Sequence, residues 1–357
     1  MNQSIKILAM GIIVAISFSA CMKHDMDKHK SEEKNIDYPA AYIVNGEDAS
    51  ISVIKLSDNT VSETIQMMNH GGTHSILWPH HIYHHSNPAT HQLAIGVPGM
   101  DLSLGHTGGM AGHGGKFIVL NAVKGTITKS VDLPLMNHNA IYSPNGTEIW
   151  TTQMDKAGKV LVYDASTYAL KNTITVGKEP AEVTFSNDGT KAYVSNGEDN
   201  TVSIINPNTK AVITTLAVGV NPVGAWPSAI GKMFVDNEDS KTVSVIDVTT
   251  NIVTATINLG FKPGYAAYNE ANNELWVSNA TDGKVVYFVD MGASNGGWMK
   301  NGEFVTGNDS HAIAFYGQFA YITNQGSNTV TVINAATHAK VKDLIVGKKP
   351  NGIAIKL

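Results

Sequence analysis

The sequence predicts an all-β fold, a seven-bladed β-propeller built of four-stranded blades. Three observations predict it: a strand motif that recurs about every 40 residues, four strand signals within each period, and two distant segments that complete one blade. The motif ends in asparagine, as Ala192-Tyr193-Val194-Ser195-Asn196, Met233-Phe234-Val235-Asp236-Asn237, Glu274-Leu275-Trp276-Val277-Ser278-Asn279 and Ala320-Tyr321-Ile322-Thr323-Asn324. Asparagines 196, 237, 279 and 324 stand 41, 42 and 45 residues apart, the spacing of a stacked or radial repeat.

Each period supplies its strands in the same order. A polar loop such as Gly197-Glu198-Asp199-Asn200 follows the asparagine, and Thr201 to Asn206 then alternates in character as a strand does. The turn Pro207-Asn208-Thr209-Lys210 leads to another strand that ends in Val-Gly. Lys178-Glu179-Pro180, Asn221-Pro222, Lys262-Pro263 and Lys349-Pro350 each introduce a short apolar strand, which completes four strands per unit. At the chain ends, Ala41-Tyr42-Ile43-Val44-Asn45 begins a blade at its second strand, while Pro350 to Leu357 is a first strand with no blade behind it. Joining them gives seven blades over residues 40–357 and removes the exposed sheet edges that invite aggregation.

These motifs resemble the YVTN family of seven-bladed β-propellers, whose name is echoed in Tyr193-Val194-Ser195-Asn196 and Tyr321-Ile322-Thr323-Asn324. The resemblance extends over nearly all of residues 40–357 and implies the fold. It implies no single activity, because many functions occupy this scaffold.

With 43% hydrophobic and 15% charged residues in 357, the chain can bury a substantial core. A net charge of -5 leaves no basic stripe for phosphate, so no nucleic-acid partner is expected. Lys6, the apolar run Ile7 to Phe18 and the small residues Ser19 and Ala20 read as an export signal over residues 1–20. Phe18-Ser19-Ala20-Cys21 resembles a bacterial lipobox, which implies lipidation of Cys21 and a membrane anchor at the cell envelope, facing the periplasm or the cell surface. Residues 21–39 then form a flexible polar tether, in which Met22, His24, Met26 and His29 are weak metal ligands at most. Since Cys21 is the single cysteine, the domain has no disulfide, no C-x-x-C-H haem attachment and no thiolate for a blue-copper centre.

Ten of the 14 histidines fall between His70 and His138. Antiparallel order places two connections of each blade on one side of the disc: the one into the first, innermost strand and the one between the second and third strands. Residues at the start of first strands therefore ring the mouth of the central channel. His138 aligns with Ala181 of the Pro180-Ala181-Glu182-Val183 unit, His80 and His81 hold the same place one blade earlier, and His311 aligns with Glu182. The second-to-third loop of the His80 blade is expanded to residues 98–115, where glycines give mobility and His106, Met110 and His113 supply ligands. It reads as a lid or a metal-acquiring arm. His70 and His74 lie in a second enlarged connection, while His84, His85 and His91 recede towards the opposite turn and His338 sits in a remote one.

Imidazoles converging from three blades point to a transition metal, copper or zinc. Interleaved Met67, Met68, Met100, Met110 and Met136 favour copper, a soft ion, although Met100 and Met136 also suit packing. The His-His pair followed by a single His one blade on is similar to the copper-cluster propeller of nitrous oxide reductases, but four histidines replace that family's seven and no copper domain accompanies them. Periplasmic propellers that act as metal chaperones are similar in size and in their His-rich segment. The expected function is metal handling, with a metal-transport or cell-envelope protein as partner. Two other classes remain: a protein- or polysaccharide-binding scaffold with incidental histidines, and a haem or copper redox protein. No Ser/His/Asp constellation stands out, so no catalytic residue is assigned.

Overall fold

A computed structural model describes residues 33–67, 76–104, 114–295 and 297–357. Cys21, His24, His29, Met68, His70, His74, His106, Met110 and His113 lie outside the described residues.

Seven antiparallel sheets of four strands make up this part of the chain. Blade 1 runs Ile82–His84, Gln92–Val97, Lys116–Asn121 and Thr126–Asp132, and blade 2 runs Ala140–Tyr142, Glu148–Gln153, Lys159–Asp164 and Leu170–Thr175. The inner strands of blades 3 to 6 are Pro180–Phe185, Pro222–Pro227, Pro263–Asn269 and Ser310–Tyr316. Blade 7 is the composite one. Its inner strand Pro350–Lys356 pairs antiparallel with Ala40–Asn45, followed by Ser50–Lys55 and Thr60–Gln66. Each inner strand touches its neighbours in order around the ring, and blade 7 closes against blade 1.

The core is divided the same way. Seven hydrophobic clusters each draw on two adjacent blades, as where Phe117 and Val119 of blade 1 meet Tyr142 and Leu161 of blade 2. Both faces of the middle strands are covered, so Ala40–Asn45 and Glu148–Gln153 are buried at every position.

The repeated asparagine has a defined task. The Asn196 amide donates to Thr201 Oγ1 and Ser203 Oγ, both at 3.0 Å, fixing the turn between second and third strands. Asn45, Asn237 and Asn324 do the same with hydroxyls five and seven residues on. The same side chain explains the Val-Gly ending. A Cβ on Gly177 would stand 2.6 Å from Asn196 Cγ, and one on Gly347 the same distance from Asn45 Cγ. Only glycine lets the end of one blade lie over the asparagine of the next.

Residues 33–39, at the end of the sequence-predicted tether, lie against the propeller. Lys34 and Ile36 donate backbone hydrogen bonds to Lys124 and Val123, and Ile36 is fully buried.

Candidate metal centre

The backbone fixes where the histidines point. In blades 1 and 2 the inner strands are only three residues long, and His80, His81 and His138 sit in the segments just before them. His80 N donates to Gly96 O and Gly96 N to His81 O, so the pairing continues past the strand end. Two glycines make room. A Cβ on Gly96 would lie 2.6 Å from Asn139 Cα and 2.7 Å from His138 O, and one on Gly352 would lie 2.8 Å from His81 Cα. Asn139 then ties blade 2 to blade 3: its amide donates to Val183 O at 2.8 Å and its carbonyl accepts from Val183 N at 3.3 Å. That bond sets His138 beside Glu182.

Strand register corrects one alignment. Ser310 pairs with Asn324 as Pro180 pairs with Asn196, so His311 corresponds to Ala181 rather than to Glu182. The aligned reading missed a residue because no proline marks the start of that inner strand. His80, His138 and His311 thus share one register position on three blades, and His81 shares the next with Glu182.

All four histidines come together. The His80 ring lies 4.5 Å from His81, 4.4 Å from His138 and 5.5 Å from His311, centroid to centroid. Two groups have donor atoms all within 4.8 Å of one another: His80, His81 and His311, and His81, His138 and Glu182. Glu182 was not foreseen as a ligand. Its Oε1 is 3.7 Å from His81 Nε2 and 3.6 Å from His138 Nδ1 and accepts from Tyr83 at 3.1 Å, while Oε2 has no hydrogen-bond partner among the described residues. Its sequence signal is weak: the one acid in an inner strand otherwise apolar save for Thr184, two residues after Pro180.

The surroundings are dry. His81, His138 and Glu182 are at most 3% exposed. Burial pushes the Glu182 carboxyl well above its ordinary range and the nearby Asp236 charge adds to this, with the Tyr83 hydrogen bond opposing. Asp236 is raised to about 7 by burial and Glu238, against hydrogen bonds from Trp226 and Gly224. The Trp226 and Tyr265 rings lie 3.7 Å apart, tilted by 33°, and stand about 6 Å from the His81 ring. Such a pocket holds a charged carboxylate only beside a compensating positive charge, which a protonated His81 or His138 or a bound divalent metal would supply. The residues present therefore fit an ion: several imidazoles and one carboxylate, with Tyr83 orienting the carboxylate from behind.

Above the histidines lies a cavity of about 360 Å³ whose lining includes His80 and His311. The first part of the expanded loop reaches it: Leu102 and Ser103 line the cavity, and Asp101 is held at 2.7 Å by Lys349 from the start of the blade 7 inner strand. His84, His85 and His91 go elsewhere, lining a separate 280 Å³ cavity with the C-terminal residues. His338 stacks on Tyr287 at 4.1 Å and bonds Glu274 at 2.8 Å. Met67, 1% exposed, packs in the core between blades 7 and 1, Met136 is buried at 4% exposure, and Met100 is half-buried.

No protein-family model matches the chain, and no curated protein matches it. Solved structures do. The periplasmic gluconolactonase of Pseudomonas aeruginosa aligns at 15% identity with a TM-score of 0.67, over 89% of this chain and 99% of that one. A Bacteroides fragilis protein provisionally named a 6-phosphogluconolactonase aligns at 14% identity and 0.67, over 89% and 98%. Hydrazine synthase of Kuenenia stuttgartiensis aligns at 18% identity and 0.61, over 80% and 92%. At these identities the likeness is one of fold, and the chain has the architecture of a seven-bladed β-propeller.

Proposed function

We propose that this protein is an exported, lipid-anchored propeller that binds a divalent transition metal at the mouth of its channel and serves in metal handling, as a metallochaperone. The observation that carries this reading is the meeting of His80, His81, His138 and His311 with buried Glu182, residues drawn from four blades. Imidazole with carboxylate suits both copper and zinc. Copper is preferred on the general affinity order of divalent ions and on Met110 in the expanded loop; Met67 is committed to packing, so it adds nothing to the methionine argument. Residues 99–115 would act as lid or metal-acquiring arm, with a metal-transport or cell-envelope protein as the partner. Envelope localisation follows from the signal and Cys21, and the periplasmic Pseudomonas neighbour is in keeping with it.

The test is metal analysis of protein purified without a His-tag, set against a His80→Ala/His138→Ala double variant. Wild type should retain copper or zinc after desalting, and the double variant should retain little. Equal and negligible binding by both would sink the proposal.

A further inference from the structure

We infer that the centre is binuclear: a lower ion held by His81, His138 and Glu182, and an upper, exchangeable ion held by His80, His81 and His311. This rests on the metal-binding reading and extends it.

Three observations lead there. First, donor atoms fall into two compact groups that share His81. His80 and His138 have the closest ring centroids of the four histidines, at 4.4 Å, yet their donor atoms belong to different groups. Ligands of a tetrahedral ion at ~2.0–2.1 Å stand roughly 3.4 Å from one another, so three donors within 4.8 Å need only small adjustments to close on an ion. Second, an imidazole has two nitrogens, and His81 can offer one to each ion, with deprotonation of the ring supplying the second lone pair.

Third, the two positions differ in access. His81, His138 and Glu182 are all buried, and the lower group includes the carboxylate that neutralises part of the ion's charge. His311 is partly exposed and, with His80, lines the 360 Å³ cavity. Both groups supply three protein ligands, so burial separates them: an open fourth position beside the partly exposed His311 admits an outside ligand or exchanges its ion, whereas a position enclosed by buried groups retains it. The upper ion is therefore the one that can be passed on through the mouth, beneath Leu102 and Ser103 of the expanded loop.

The experiment is a Cu²⁺ titration of the full chain, read by elemental analysis after desalting and by visible spectroscopy, with azide as the outside ligand. Wild type should take up two ions per chain in two separable steps, and azide should shift only the absorption that grows in the second. His311→Ala should abolish the second step and the azide response while keeping the first. Glu182→Gln should weaken the first step at least tenfold. Circular dichroism identifies any variant that fails to fold, and the partly exposed His311 makes its variant the safer of the two. One ion per chain, lost alike on substituting His311 or Glu182, would overturn the binuclear centre while leaving metal binding intact. No uptake at all by wild type would overturn the metal-binding reading itself.

Discussion

Replacing Glu182 by glutamine keeps the side chain's size and its hydrogen bond from Tyr83 but removes the ionisable oxygen. In the metal-free protein that carboxyl is 1% exposed and holds its proton more tightly than an unfolded chain would. The stability it contributes is thus complete below the ordinary carboxylate range and is lost as pH rises. Near neutral pH the unfolded chain releases that proton while the buried carboxyl resists ionisation, a cost that glutamine does not carry. Glu182→Gln should therefore raise the metal-free melting temperature at pH 7, a gain that fades below about pH 4. Metal reverses the comparison. An ion at a free concentration about 100 times its Kd stabilises the fold by about 2.7 kcal/mol, and a hundredfold loss of affinity leaves about 0.4 kcal/mol of that. The metal-induced rise in melting temperature should shrink by roughly 3–4 °C in the variant, measured by differential scanning calorimetry with buffered copper or zinc. An undiminished metal-induced rise would refute Glu182 as a ligand.

Four further outcomes are expected. Gly96→Ala places a methyl against Asn139 Cα and His138 O, so it should destabilise by about 1–3 kcal/mol and weaken metal binding; Gly231→Ala, strained at φ +72° but with open space around it, should lower stability alone, as melting and metal titration would report. Burial raises Glu148, but the Lys210 ammonium and the Trp150 and Lys171 hydrogen bonds outweigh it and hold the carboxyl below its usual range. Its contribution is present above that range and lost as pH falls, so Lys210→Met should make acid unfolding begin at higher pH. His338→Ala, which removes the stack on Tyr287 and the bond to Glu274, should cost about 1–2 kcal/mol without changing metal uptake. Removing Pro350–Lys356 leaves Ala40–Asn45 without its inner partner and opens the ring, so gel filtration should find aggregate in place of monomer.

The propeller was legible because its repeat answers a chemical need at four of the seven turns. Asn196 and its equivalents bind the hydroxyls that begin the third strand, and glycines such as Gly177 are obligatory where the next blade's asparagine fills the Cβ position. Histidine placement followed from that register in blades 1 and 2. It slipped by one residue at His311, where Ser310 replaces the proline that marks the start of most other inner strands. Glu182 went unseen for a different reason: an acid in an apolar strand becomes a ligand only when Asn139 fastens a neighbouring blade against it, a contact spanning 44 residues. The methionines misled in part, since Met67 answers to packing between blades, which composition alone does not separate from ligation.

The central claim is that imidazoles from separate blades hold a metal at the channel mouth. X-ray absorption combined with anomalous diffraction on the copper- or zinc-loaded full chain tests it most directly. The expected result is nitrogen coordination at ~2.0–2.1 Å and an anomalous peak among His80, His81, His138, His311 and Glu182. Metal bound only at surface histidines such as His84, His85 or His91, with no peak in the channel, would contradict it.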